Sequence, residues 1–250
     1  MHQPYFLPWL GYFSKLAFCD VFVVLDSVSF AKQHYLDRTK IINTQGQAAW
    51  LSLPTGQNLG IPIRDVVLRP PDSKYLAGMQ RTIRDSYSPG AHFKQEWGRL
   101  EVALTEAFSI KPLRLLDLNV RLIVRILDLL KIPPPEIVMA STISDCSDPT
   151  ERLIEICAKT KTSRLLLGTG KSHSVHNLRR VSEIGPVLCV QDYLRQHPMY
   201  PQARRVKLGF IQGLSVVDAI LNSGAEAAAS YVTDERFRPI QLDPGTGYGN

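Results

Sequence analysis

The 250-residue sequence contains only four cysteines, which lie far apart and form no CxxC pair. This spacing argues against a disulfide framework and against a zinc ribbon or dithiol redox centre. His173 with His176, and His34 with Asp37, could each supply two metal ligands, but both pairs lack the third and fourth ligands that zinc needs. We therefore expect no metal site, and we expect the cysteines to be reduced side chains in the core or at the surface.

Long apolar runs and clustered basic residues are also missing. No run of about eighteen apolar residues is present to cross a bilayer, and the N-terminus lacks the basic start and apolar centre of a secretory signal. We expect a cytoplasmic protein without membrane insertion. The formal net charge of +6 comes from scattered side chains, whereas a nucleic-acid interface usually concentrates them in one stripe. The sequence therefore predicts no nucleic-acid partner, and the excess charge either attracts a small anionic ligand or serves solubility.

Apolar runs of strand length alternate with helical patterns over most of the chain. Val21–Leu25 is continuously apolar, as in a buried parallel strand, and residues 165–167 and 187–190 are similar. Residues 40–43 and 48–53 predict a hairpin, and residues 63–68 a further strand. Helical spacing over residues 75–87, 93–108 and 113–131 predicts an inserted helical segment at about 70–131. We expect a single α/β domain over 1–250 with a Rossmann-like, mainly parallel sheet.

In such sheets ligands bind at the carboxyl ends of the strands. Asp26 follows the first predicted strand, and Gly168, Gly170 and Lys171 follow a later one. That glycine turn lacks the spacing of a P-loop, although such a turn can still contact an anion. A plain turn is the alternative. Asp192, which follows a third predicted strand, is expected at the same crevice.

The N-terminal forty residues concentrate the side chains that suit catalysis. His2 is a candidate general base or phosphate contact, because an unperturbed imidazole titrates near neutral pH; a structural histidine is the alternative. Lys15 lies in an otherwise apolar helix, and two or three cations near Asp26 could hold a carboxylate or phosphate. The alternative is a structural ion pair of Asp26 with Arg38 or Lys15. Candidates for contacting the substrate are Gln3, Tyr5, Trp9, Tyr12, Lys32, Lys40, Tyr200 and Gln202.

The segment HQPYFLPWLGYFSK at residues 2–15, then DVFV at 20–23 with Asp26, Phe30, Lys32, Arg38 and Lys40, resembles the opening of the WbqC-like family. Later pieces that match are Trp50-Leu51, Gly168–Gly170, Tyr200-Pro201-Gln202 and LSVVD at 214–218 with Asn222 and Gly224. The resemblance covers nearly the whole chain. It implies a bacterial biosynthetic enzyme linked to surface polysaccharides or related products. Members have been suggested to attach glycine or another small acyl group to an amino sugar.

Related chains have an apolar strand immediately before the His-Gln-Pro turn, whereas this sequence begins at Met1. A sheet without that strand would have two additional exposed edges. We therefore expect either upstream residues or another segment of the chain to occupy its place.

Together these observations predict an acyl or aminoacyl transferase that acts on the amine of a small molecule. His2 or Asp26 would accept the amine proton, since an amine must be neutral to attack an acyl carbon. Lys15, Arg38 and Lys40 would hold the anionic part of the donor or the developing oxyanion. The sequence defines no cofactor. Two alternatives stay open: an ATP-dependent ligase or nucleotide-using transferase that needs ATP and magnesium, and a non-catalytic partner in a biosynthetic complex.

Overall fold

The computed structural model describes residues 1–56, 59–68, 73–170, 172–205 and 207–242, except for the side chains of residues 73, 172 and 173. Helices α1 to α9 in this part span Leu10–Ala17, Ser73–Tyr87, Phe93–Phe108, Leu115–Leu129, Pro149–Lys159, Ser172–Val175, Leu178–Glu183, Val216–Ser223 and Ala225–Thr233. Strands β1 to β7 span Val21–Val24, Arg38–Ile42, Ala48–Ser52, Glu136–Met139, Arg164–Gly168, Val187–Gln191 and Ile240–Gln241.

Within the described residues, the strands form three small sheets. β1 pairs in parallel with β4, and β2 pairs in antiparallel with β3. β6 lies between β5, to which it is parallel, and β7, to which it is antiparallel. The protein is therefore a mixed α/β structure with both kinds of pairing. The expected single, mainly parallel, Rossmann-like sheet is not confirmed.

Residues 63–68 do not form the predicted strand. Ile63–Asp65 is a short 3-10 helix, and Val67 forms an isolated bridge with Arg114. Ile63 and Val66 are both fully buried, and a spacing of three residues puts two side chains on the same face of a 3-10 turn. These apolar residues are thus buried through a turn and not through a strand.

The predicted helical segment is present as α2, α3 and α4, and its apolar faces contribute to the main hydrophobic core. α8 lies at the centre of that core: Val217, Ile220 and Leu221 have no exposed surface. A helix that is apolar on nearly all sides is typically buried in this way. α8 thereby brings the polar side chain of Asp218 into the interior.

α1 begins after Pro8 and buries Leu10, Phe13 and Leu16 on the core. Its last turn carries Lys15, where a cation is favoured by the unpaired carbonyls of the helix terminus. The chain then turns directly into β1. This short connection places a lysine close to the N-terminal turn and to the parallel strands.

Candidate active site

The N-terminal turn is held from two sides. His2 forms a parallel bridge with Val24 at the edge of β1. From α4, the side-chain amide of Asn119 donates to the carbonyls of Pro4 and Leu36, both at 2.8 Å. Asn119 is fully buried, so these two hydrogen bonds are shielded from water. They fix the N-terminal turn against the loop that leads into β2.

His2 lies between two tyrosine rings. Its ring centroid is 4.7 Å from that of Tyr5 and 4.8 Å from that of Tyr12, both in edge-on geometry. Its Nδ1 is 2.9 Å from the Gln3 carbonyl oxygen, which also accepts the Tyr12 hydroxyl at 2.9 Å. Burial, and secondly the charge of Lys15, lowers the pKa of His2 to about 3. The imidazole is thus neutral at neutral pH, and a proton on Nδ1 leaves Nε2 as an acceptor.

Lys15 extends from α1 to the carboxyl end of β5. A Cβ atom placed on Gly168 would lie 2.5 Å from the Lys15 Nζ, so glycine is required there for the ammonium to keep its position. Burial lowers the pKa of Lys15 to about 8. Lys15 forms no ion pair with any carboxylate of the described residues. A ligand carboxylate or phosphate could supply the missing negative charge.

Besides Lys15, a pair of cations lies on the hairpin of β2 and β3. Arg38 and Lys40 share one face of β2, and Trp50 of β3 is paired directly with Lys40. The Arg38 guanidinium carbon is 3.9 Å from the indole centroid, and the Lys40 Nζ is 5.2 Å from it. Neither cation forms an ion pair in the part of the chain that the structure describes. We call Arg38, Lys40 and Trp50 the indole platform.

A continuous row of rings runs from His2, on which the charge of Lys15 acts, to the indole platform. The aromatic row consists of His2, Tyr5, Tyr35 and Trp50, with successive centroid distances of 4.7, 5.4 and 5.6 Å. Tyr35 and Trp50 were not among the candidates from the sequence. Their positions depend on how the loop before β2 packs and on strand register. The predicted hairpin was the one signal that could have placed Trp50 opposite Lys40.

Asp26 follows β1 as expected, but its carboxylate is bonded to the segment after β4. Asp26 is 2% exposed and accepts hydrogen bonds from the Ser141 backbone N–H at 2.9 Å and hydroxyl at 2.6 Å. These bonds tie together the carboxyl ends of β1 and β4. Among the described residues, no hydrogen bond or ion pair joins Asp26 to His2, Lys15 or Arg38. The alternative of a structural ion pair is therefore not realised there.

Trp9, Tyr200 and Gln202 belong to a second cluster. The Trp9 ring stacks on His197 at 6.5 Å, and the His197 ring is 6.4 Å from Tyr200. Tyr200 and Gln202 donate to the carboxylate of Asp218 at 2.8 and 2.9 Å. They are only 6% and 5% exposed, which leaves little surface for the acceptor that the sequence led us to expect there. Through these hydrogen bonds, Tyr200 and Gln202 hold the part of the chain before α8 against that helix.

The remaining candidates are less informative. Lys32 is half-buried in the loop before β2. Gly170 follows β5, where an added Cβ would meet no atom within 4 Å, and Lys171 lies outside the described residues. Among the residues described, no group of three or more His, Cys, Asp or Glu side chains could hold a metal ion. No described helix is both long and apolar enough for a membrane span.

The fold and these contacts define a mixed α/β protein that carries a row of aromatic rings flanked by cations. The chain belongs to the WbqC-like protein family, whose model matches residues 3–230, and this confirms the resemblance of the N-terminal motif. It is 26% identical over 229 residues to an uncharacterized protein of Mycobacterium tuberculosis, with 90% of this chain and 93% of that protein covered. No solved structure matches the chain.

Proposed function

We propose that the protein transfers a small acyl or aminoacyl group, such as glycyl, onto the amine of a sugar or a related small molecule. The observation that carries the proposal is the set of three cations, Lys15, Arg38 and Lys40, which form no ion pair with described carboxylates and flank the aromatic row. A partly buried charge without a partner is unfavourable. Such a set favours a substrate that brings its own carboxylate or phosphate. Membership of the WbqC-like family supports a biosynthetic setting.

In this proposal His2 accepts the proton of the attacking amine. The amine must attack as the free base, and it loses a proton once the new bond to the acyl carbon has formed. The bond between the acyl carbon and the donor's leaving group then breaks, and the leaving group, a thiolate for an acyl-CoA, departs with the electron pair. His2 has a pKa of about 3 because of burial and the charge of Lys15. A bound anion beside Lys15 offsets that repulsion and raises the basicity of the imidazole. We assign this role to His2 in preference to Asp26, because both Asp26 oxygens are engaged by Ser141.

Lys15 has a different role, that of holding negative charge. Its ammonium lies at the carboxyl end of a parallel strand, where ligands bind in α/β proteins. A cation at this position stabilises the anionic part of the donor or the oxyanion that develops as the amine attacks. Because the ammonium is positioned before the ligand arrives, little reorganisation is needed at the moment of reaction.

The same position of Lys15 favours a second candidate, an ATP-dependent ligase or nucleotide-using transferase. A lysine ammonium beside a glycine turn at a strand end suits a polyphosphate as well as a carboxylate. This candidate requires ATP and a divalent cation such as magnesium for product formation. The transferase requires neither.

Thermal unfolding of the purified protein tests the two candidates. ATP with magnesium, acyl-CoA, free glycine and nucleotide amino sugars are added singly, in pairs and as the three-component mixture of ATP with magnesium, glycine and a nucleotide amino sugar, and stabilising combinations are analysed by mass spectrometry. A ligand at a hundred times its Kd adds about 2.7 kcal/mol, which raises the Tm of a chain of this length by roughly 5–10 °C. An acylated amine formed without ATP supports the transferase, and one formed only with ATP supports the ligase. If nothing binds and no product forms, a non-catalytic partner role replaces both.

We also propose that the parallel pairs β1–β4 and β5–β6 belong to one Rossmann-like arrangement, with the substrate at their carboxyl ends. The parallel registers of the two pairs support this proposal. A cytoplasmic location of the reaction is part of the same proposal and rests on the sequence prediction alone.

A further inference from the structure

The geometry of the indole platform points to a binding site for a phosphate that is attached to a flat ring, and we propose a nucleoside phosphate as its ligand. We call the nucleoside phosphate part of the substrate its handle. The indole platform would bind the handle while the reacting end of the substrate lies at His2 and Lys15. The placement of the reacting end rests on the proposed function. The handle site itself rests on Arg38, Lys40 and Trp50, and can be tested without any reaction.

Arg38 is poised to bind a phosphate through its edge. Its guanidinium carbon is 3.9 Å from the Trp50 centroid, and a guanidinium that stacks on a ring keeps its N–H groups in its own plane. Those groups can donate to two phosphate oxygens while the face remains stacked. The Arg38 Nε is buried and has no hydrogen-bond partner in the described part of the chain. A donor in that state lacks the compensation that buried polar groups normally have.

No carboxylate of the described residues forms an ion pair with Arg38 or Lys40 on this face of the hairpin. Across the strands, Arg38 is paired with Ser52 and Lys40 with Trp50, so neither faces a carboxylate. The neighbouring carboxylate of Asp37 is buried and accepts hydrogen bonds from the backbone N–H groups of Gln33 at 3.3 Å and His34 at 3.1 Å. It therefore serves the preceding loop. Two positive charges are left for a ligand.

Another arginine of the chain shows what a structural contact of this kind looks like. Arg84 lies 5.3 Å from the Trp97 ring, but it also donates to Glu101 at 2.9 Å. Trp97 is 9% exposed, whereas Trp50 is 42% exposed. In the first pair the indole is buried and the charge of Arg84 is neutralised by Glu101, although the Arg84 side chain itself is 51% exposed. The indole platform is open and carries excess charge, which indicates a ligand.

The exposed indole argues for a ring in that ligand. An inorganic phosphate would be held by the two cations and would gain nothing from Trp50, whereas a nucleobase can stack on an aromatic or guanidinium plane. Tyr35 stands at the edge of Trp50, with centroids 5.6 Å apart and planes at 61°, and supplies a side wall. From there the aromatic row leads to His2. A nucleoside phosphate at the platform would thus direct its attached group toward the reacting end.

Isothermal titration of the full chain with UMP, AMP, ribose 5-phosphate and inorganic phosphate tests the inference. We expect at least one nucleotide to bind about tenfold or more tightly than ribose 5-phosphate, because stacking adds to the phosphate contact. A preference for UMP indicates a nucleotide sugar, the acceptor of the acyl group, as the source of the handle, and one for AMP indicates an adenine cofactor. Trp50→Leu should remove the preference for the nucleotide while ribose 5-phosphate binding stays within about twofold. Arg38→Lys keeps the charge but loses the planar fork, so it should weaken nucleotide binding about tenfold.

Arg84→Ala is the matched control, since it removes the other arginine next to a tryptophan and should leave nucleotide binding unchanged. Circular dichroism checks that each variant is folded.

Equal affinity for ribose 5-phosphate and the nucleotides overturns the inference, as does wild-type nucleotide affinity in Trp50→Leu. Tighter binding of a single-stranded RNA than of any nucleotide also overturns it. If the protein binds nucleotides but forms no acylated product, the handle site is supported and the proposed function is wrong. If it forms the product but shows no preference for nucleotides, the proposed function is supported and the handle site is wrong.

Discussion

Asp218 of α8 is a fully buried carboxylate that accepts hydrogen bonds from Tyr200 and Gln202. Burial raises its pKa from 3.8 to about 6. Because the folded-state pKa lies above the unfolded one, the stability that this group contributes is fully present below about pH 4 and is lost as the pH rises through 6. A difference of about two pKa units corresponds to about 3 kcal/mol. We expect Asp218 to lower the stability of the protein at neutral pH.

Asp218→Asn removes the charge and keeps an acceptor for Tyr200. Relative to the wild type, this variant should gain about 2–3 kcal/mol of unfolding free energy between pH 4 and pH 8, measured by urea unfolding. Asp234→Asn is the control: hydrogen bonds from Arg236 lower the pKa of Asp234, so the stability from this group is lost only as the pH falls below 3.8 and the variant should show no comparable gain between pH 4 and pH 8. A pH-independent difference between Asp218→Asn and the wild type would contradict the account of this network.

Lys15 should also destabilise the folded chain at neutral pH. Burial lowers its pKa from 10.5 to about 8, so the folded state favours the neutral amine, and the penalty is present below pH 8 and disappears as the pH rises toward 10.5. Partial exposure of the side chain screens part of the effect. We expect Lys15→Met to raise the unfolding free energy at pH 7 by about 1–2 kcal/mol. The exposed Lys94→Met should not do so, and equal effects of the two variants would show that Lys15 is an ordinary surface lysine.

For individual residues, the sequence indicated which side chains are candidates better than it indicated which other side chains they contact. Lys15 was proposed because a charge stands out in an apolar helix, and His2 because an imidazole titrates near neutral pH. Arg38 and Lys40 were proposed because they flank the predicted crevice near Asp26. Trp50 and the role of Ser141 were missed because they depend on contacts between distant parts of the chain. Tyr200 and Gln202 were expected near a substrate, and they instead surround Asp218, whose burial the apolar sequence of α8 could have indicated.

At the scale of elements, the hairpin of β2 and β3 is fixed by its turn. Gly46 has φ 77°, and a Cβ atom there would lie 2.5 Å from the Arg204 carbonyl oxygen. Gly46→Ala should therefore lower the unfolding free energy by about 1–3 kcal/mol, through backbone strain and through displacement of the Arg204 segment. Chemical denaturation measures this loss.

Gly60→Ala separates the effect of backbone strain from the effect of displacing a neighbouring segment. Gly60 has a similar φ of 79°, but an added Cβ would meet no atom within 4 Å, so only the backbone strain remains. The loss at Gly60 should be the smaller of the two. Equal losses would mean that the Arg204 segment does not hold the turn.

Helices were predicted more reliably than sheets. Local signals decide a helix: Asp148 accepts hydrogen bonds from the first turn of α5 and Pro149 occupies its first position, where proline is favoured. The antiparallel hairpin was also local and is confirmed. Residues 63–68 were assigned wrongly because a short apolar run does not distinguish a strand from a turn that buries the same side chains. Sheet association depends on long-range pairing, which no local pattern encodes.

At the scale of the whole molecule, several elements meet at or near the N-terminal turn. α4 holds the N-terminal turn through Asn119, α1 presents Lys15 beside Gly168 of β5, and the hairpin presents the indole platform. These parts are far apart in sequence. The net charge of +6 left a choice between attraction for an anion and solubility, and the cations without ion pairs along the aromatic row favour attraction for an anion.

The most direct test of this account is the steady-state rate of amine acylation, measured by mass spectrometry with an amine-bearing nucleotide sugar and an activated acyl donor. We expect Lys15→Met to lower kcat by about a hundredfold or more, because it removes charge stabilisation during reaction. Arg38→Ala should raise KM with little change in kcat, because a handle contributes equally to substrate and transition state. Lys94→Met and Arg84→Ala should retain wild-type kinetics. If Lys15→Met and Arg38→Ala also acylate the amine at the wild-type rate, the cations and the aromatic row are not the active site.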